Sequence, residues 1–150
     1  MEVIGITVQV KKLRKSAKTP LRATLGAAGL DVFAAIDKSV LLYRNTTEKI
    51  PSGIAIELPS INYVAFLLPR SGLSIKHGIV LANSVGVIDS DYRGEIIVGL
   101  RNCGDSDYII NPDDKIAQLL FFKTENIQLK LVDNLNDTNR GYSGLGSTGR

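Results

Sequence analysis

At 150 residues the chain is long enough for one domain that buries a continuous core without metal or disulfide staples. A single cysteine, Cys103, excludes an internal disulfide, so nothing calls for an oxidising compartment. A net charge of +3, no apolar run of transmembrane length and no basic start followed by a long apolar run over residues 1–10 set the expectation of a soluble cytoplasmic protein with no membrane partner.

Fourteen glycines, five prolines and a Val/Ile-rich middle predict many short strands and turns. Residues 3–10 alternate well enough for a first strand, and Pro20 lies in a polar loop beyond it. Between them Lys11, Lys12, Arg14, Lys15, Lys18 and Arg22 concentrate positive charge, which raises the question of a nucleic-acid face. No aromatic residue interleaves these charges, so the stacking platform of a single-strand binder is missing; a small anionic ligand is expected, and no nucleic acid.

In residues 27–34, small side chains and Gly29 stand before an acid and permit close approach of backbone to ligand. Asp31 is then a candidate to orient a metal-bound water, although Gly-x-Asp is also an ordinary turn pattern. Residues 40–43, 50–58 and 62–68 read as three strands, punctuated by Pro51, Gly53 and Pro59. Residues 69–78 carry the one helix: Arg70, Ser71 and Gly72 precede about two turns that stop at Gly78. Such a start is either an anion site, with free amides and the helix dipole facing the ligand, or an ordinary capped helix.

The runs 78–82 and 95–100 are strand-like and short enough to pair across the bend at 86–94, GVIDSDYRG. Asp91 reads as a turn residue that bonds its own backbone. Asp89 follows Val85, Val87 and Ile88, so its carboxylate projects from an apolar rim suited to a general base; a structural carboxylate is the competing reading. Tyr92 stands beside it. Cys103 is a strand-end thiol, and the lone His77, with no second ligand at metal spacing, is structural.

Residues 107–110 and 115–122 are strands joined by the turn 111–114, and Gln118, set in an apolar strand, needs a backbone or ligand partner. Residues 127–132 read as a last strand. From 133 to 150 polar and small residues dominate, and only Leu135, Tyr142 and Leu145 offer packing, so a mobile arm is expected. Its RGYSGLGSTG stretch at 140–149 suits phosphate wrapping but lacks the lysine and following helix of a P-loop, which excludes a kinase or ATPase of that type.

Five segments in order, AGLDVFA at 28–34, PRSGL at 69–73, GVIDSDYRG at 86–94, DKIAQL at 114–119 and RGYSGLGSTG at 140–149, resemble the homotrimeric all-β dUTPases over nearly the whole chain. The resemblance implies a jelly-roll-like β-barrel subunit (1–135) with a flexible arm (136–150) that closes over the site, and a homotrimer with three sites shared between subunits. It implies hydrolysis of dUTP to dUMP and pyrophosphate with Mg²⁺, which limits uracil in DNA and supplies dUMP for thymidylate synthesis. Asp89 would deprotonate the water that attacks the α-phosphorus, and Asp31 would support the metal through water. Arg70, Ser71, Gly72 and Gln118 would bind phosphates; Asn83 and the backbone at Val87 and Ile88 would read uracil's polar edge.

In the same resemblance Tyr92 would lie against the deoxyribose and exclude a 2′-hydroxyl, with Ile97 packed nearby, and Arg140, Ser147 and Thr148 would close on the γ-phosphate with Gly146. Leu145 stands where the family usually has phenylalanine, so the lid loses an aromatic face worth about 0.5–1.5 kcal/mol. Two rival readings are a dCTP deaminase, which uses a glutamate near the base, and a non-catalytic binding trimer. The Asp89 motif and the complete tail count against the first, and the retained Asp31, Asp89 and Arg140 against the second.

Overall fold

The computed structural model describes residues 5–142. Eleven strands and one helix follow in the order β1 (Gln9–Lys12), β2 (Leu30–Phe33), β3 (Val40–Leu42), β4 (Thr47–Pro51), β5 (Ile54–Glu57), β6 (Tyr63–Leu68), α1 (Ser71–His77), β7 (Ile79–Leu81), β8 (Gly86–Ile88), β9 (Ile97–Asn102), β10 (Tyr108–Ile110) and β11 (Lys115–Lys123) among the described residues. All pairings are antiparallel, and the strand orders are β2-β11-β6-β8, β4-β9-β7, β1-β5 and β10-β3. Their inner faces share one core in which Leu42, Ile54, Val98, Leu100 and Leu119 are essentially inaccessible. This is the all-β class the sequence predicts, with one short helix.

Local chemistry explains where elements stop. The helix ends at Gly78 in the left-handed region, φ 69°, whose amide returns to Leu73 and Ser74 carbonyls. The turn before β11 closes with the Asp114 amide on the Asn111 carbonyl, with Asp113 at φ 67°.

Several expected boundaries are corrected. The first strand is Gln9–Lys12 rather than 3–10: residues 5–8 are not strand, and residues 3 and 4 lie outside the described residues. The single strand expected at 50–58 is two, β4 and β5, because Gly53 turns the chain at φ 70°. Ser71 and Gly72 lie inside α1 rather than before it. The bend at 86–94 is more than a hairpin tip: β7 and β9 do pair, Leu81 opposite Leu100, but the excursion between them contributes β8 to the other sheet. No strand forms at 127–132. Ile127, Leu129 and Leu131 are 75%, 96% and 99% exposed, because the alternating pattern meets no sheet edge within this chain.

Strand β11 is irregular at its start. Its register against β2 slips between Lys115 and Ala117, a bulge that makes Ile116 the extra residue and buries two consecutive side chains. Lys115 and Gln118, three apart, would otherwise point to opposite faces.

Candidate functional site

The bulge brings Lys115 and Gln118 onto the face that Asp31 occupies on β2, where Gln118 lies opposite Asp31 on one side and Leu68 on the other. Asp31 is buried, and both its oxygens are engaged: Arg70 Nε donates to Oδ1 at 3.0 Å and Lys115 Nζ lies 2.8 Å from Oδ2. Arg70 also donates to the Lys115 carbonyl at 3.0 Å. Gln118 donates its amide to the Pro69 carbonyl at 3.0 Å, the backbone partner its place in an apolar strand demands. Gly29 is required here, since a Cβ would strike the Gln118 side chain.

These residues, with exposed Ser71 and Gly72, line a cleft of about 440 Å³. Arg70 makes no side-chain cap at the helix start, and the amides of Leu73 and Ser74 return to the Arg70 carbonyl. Nothing in the sequence singles out Lys115: its position beside the Asp114 turn carries no signal until the bulge turns it toward Asp31.

A second cleft, of about 240 Å³, lies at the 86–94 excursion and is walled by Leu67, Ile88, Ile96 and Ile97, with Asn83, Val87, Asp89 and Tyr92 at its rim. Asp89 is exposed, and its carbonyl accepts the Tyr92 amide at 3.2 Å, which closes the turn. The Tyr92 hydroxyl donates to the Glu95 carbonyl at 3.0 Å, so its ring lies over Gly94, where a Cβ would collide with it. Strand β8 sits at the end of its sheet's strand order, which leaves one row of its backbone groups without a strand partner.

Within one chain the predicted site residues therefore form two clusters. Leu67 lines one and its neighbour Leu68 the other, and adjacent strand residues face opposite sides of a sheet. Arg140 is exposed and lines neither cleft. Leu145, Gly146, Ser147 and Thr148 lie outside the described residues. Three members of the basic run are engaged internally: Arg14 pairs with Glu95 at 2.9 Å, Lys18 with Asp113 at 2.9 Å, and Arg22 donates to the Ala27 carbonyl. No group of three or more His, Cys, Asp or Glu side chains that would cage a metal occurs among the described residues, and no helix among them is long and apolar enough to cross a membrane.

The family model for dUTPase matches residues 15–149. A relative from Desulfitobacterium hafniense, a deoxyuridine 5'-triphosphate nucleotidohydrolase, is 44% identical over 149 residues, covering 99% of both chains. One from Burkholderia cenocepacia, of the same name, is 46% identical over 131 residues, covering 87% of this chain and 88% of its own. Among solved structures, a variant of the Staphylococcus bacteriophage 80alpha dUTPase with dUpNHpp superposes with a TM-score of 0.87 at 28% identity, covering 96% of this chain and 99% of that one. A phage phi11 dUTPase variant described with a structural Mg(II) ion superposes at 0.78 with 27% identity, covering 87% of this chain and 99% of that one. With the two clusters carrying the residues of its motifs, and with matches this extensive, the chain belongs to the dUTPase family.

Proposed function

We propose that the family's reaction, hydrolysis of dUTP to dUMP and pyrophosphate, runs in this chain at sites assembled between subunits of a homotrimer, with Asp89 as the base. The observation that carries this reading is the separation of the clusters onto opposite sides of the sheet at Leu67 and Leu68, so that one subunit alone does not present both to one nucleotide. A closed three-fold ring joins the excursion of one subunit to the Asp31 cleft of the next. The uncovered apolar stripe of Ile127, Leu129 and Leu131 supports the same assembly, since such stripes on a stable protein are normally buried against a partner.

In this reading the unpartnered edge of β8 and Asn83 read the polar edge of uracil, where the methyl group of thymine would clash. Tyr92 stands against the deoxyribose, and Ile97 packs beside it. Arg70, Ser71, Gly72 and Gln118 bind the phosphates; Arg70 uses one guanidinium nitrogen on Asp31 and one on the Lys115 carbonyl, which orients the rest of its fork. Asp89 takes a proton from water as the water oxygen bonds to the α-phosphorus; the bond from that phosphorus to the bridging oxygen breaks, and pyrophosphate leaves. The 136–150 segment would close over the site as an arm, with Arg140, Gly146, Ser147 and Thr148 on the γ-phosphate and Leu145 over the base.

The donor set fits Mg²⁺ carried in with the triphosphate rather than caged by protein. Asp31 is the one carboxylate lining its cleft among the described residues, and magnesium characteristically keeps several waters and binds through substrate phosphates. Asp31's remaining lone pairs would orient that water shell, and the bound ion would neutralise charge on the leaving pyrophosphate. We place the enzyme in the cytoplasm, where a single thiol such as Cys103 stays reduced.

The test is incubation with Mg²⁺ and dUTP, UTP, dCTP or dTTP, with assay of pyrophosphate and ammonia. Pyrophosphate from dUTP alone is expected. Ammonia from dCTP would instead make the chain a deaminase, and no product from any nucleotide would make it a binding protein.

A further inference from the structure

The Tyr92 ring is held by a chain of contacts that begins far away in sequence. Its hydroxyl donates to the backbone carbonyl of Glu95, and the Glu95 side chain is fixed from two directions. Arg14 grips the carboxylate in a fork, Nε to Oε1 at 2.9 Å and a terminal nitrogen to Oε2 at 3.1 Å, and the Gly53 amide donates to Oε1 at 2.9 Å. Gly53 is closely packed: it sits at φ 70°, and a Cβ there would press on Ala17 and Ala35. Backbone bonds from Leu13 to Gly53 and from Ile96 to Ile54 tie the same three segments together. The ion pair is only partly exposed on the Glu95 side, 19% against 47% for Arg14.

We propose that Arg14 and Glu95 are positioning residues for Tyr92, setting how closely its ring approaches the sugar and hence how strongly the enzyme prefers a 2′-deoxyribonucleotide over a ribonucleotide. This rests on the reading of Tyr92 as the wall of the sugar pocket. The physical step is that a bidentate guanidinium-carboxylate pair restrains the Glu95 backbone in a way a single ammonium contact does not. Glu95 also lines the cleft, but its carboxylate is taken up by Arg14 and the Gly53 amide, so it acts on Tyr92 through its carbonyl. Arg14, one of six basic residues in the early run, thereby acquires a part in specificity that its local sequence does not show.

The experiment measures kcat and KM of the full-length protein for dUTP and UTP in Arg14→Met, Arg14→Lys, Glu95→Gln and, for reference, Tyr92→Ala. Arg14→Met keeps the aliphatic stem at a half-exposed position, so folding is preserved. The expected result is a fall of about three- to tenfold in the dUTP-over-UTP ratio of kcat/KM in Arg14→Met, the scale of coupling between residues that share one network. The change should sit in KM, with kcat for dUTP within about twofold of the parent. Arg14→Lys should recover part of the preference, and Glu95→Gln should resemble Arg14→Met.

An unchanged ratio in Arg14→Met, with Tyr92→Ala relaxing it, overturns the proposal and leaves the sugar-pocket reading standing. An unchanged ratio in Tyr92→Ala overturns that reading and the proposal with it. An equal loss for both nucleotides, carried by kcat, makes the pair merely structural and also overturns the proposal.

Discussion

Asp31 and Arg70 face each other at 3.0 Å across 39 residues of sequence, and Lys115 closes on the other carboxylate oxygen at 2.8 Å. One acid thus orders both cations of the cleft read as the phosphate site. Asp31→Asn leaves those cations facing a neutral group, so a loss of about 1–3 kcal/mol in denaturant unfolding is expected, discounted for the partial exposure of Arg70 and Lys115. It should also raise the Mg²⁺ concentration needed for half-maximal turnover. Chelation of the metal in the parent protein should stop turnover without shifting its melting temperature; a large shift would mean that the ion holds the fold instead.

Asp89→Asn should leave the melting temperature unchanged, because the side chain is exposed, while lowering kcat by about 10²–10⁴ as expected for a lost general base. Nucleotide affinity should persist. Near-parental turnover would remove Asp89 from the mechanism.

Mixing Asp89→Asn chains with chains cut before Arg140 should restore part of the activity that each lacks alone, because some sites then draw an intact excursion and an intact arm from different subunits. Light scattering should give a trimer mass. A monomer, or no recovery on co-refolding, would contradict shared sites.

The arm offers a separate check. Ordering it costs on the order of 1 kcal/mol per residue, which charge-assisted contacts to the third phosphate must offset. dUTP analogues should therefore protect residues 136–150 from proteolysis where dUMP does not, and removal of 140–150 should abolish turnover with little change in melting temperature. Leu145→Phe should tighten closure by about 0.5–1.5 kcal/mol. Equal protection by dUMP would argue against a triphosphate-dependent lid.

Acid should weaken the tie that holds Glu95. The Arg14 hydrogen bond holds its carboxyl below the ordinary glutamate range; desolvation opposes this, and the Gly53 amide reinforces it. A depressed folded-state value means that the stabilisation is complete above the ordinary range and is lost as pH falls through the folded value. Thermal melts between about pH 7 and about pH 3 should show a shallower acid limb for Glu95→Gln than for the parent. Superimposable limbs would show that the pair adds nothing to stability.

Local sequence determined what local forces control: the strands near 40–42, 63–68 and 115–123, the left-handed stop at Gly78, the 111–114 turn and the five ordered motifs. It did not determine which edge each extended run would meet. Residues 86–88 left their hairpin to join β6, residues 127–132 found no edge in this chain, and the bulge at Ile116 put Lys115 beside Asp31. Extended propensity is a property of a few neighbouring residues, whereas pairing and register are chosen by burial across the whole chain, and a one-residue slip sends every side chain to the other face. That is why the motifs named the family while the division of their residues between two faces, at Leu67 and Leu68, emerged only in the folded chain.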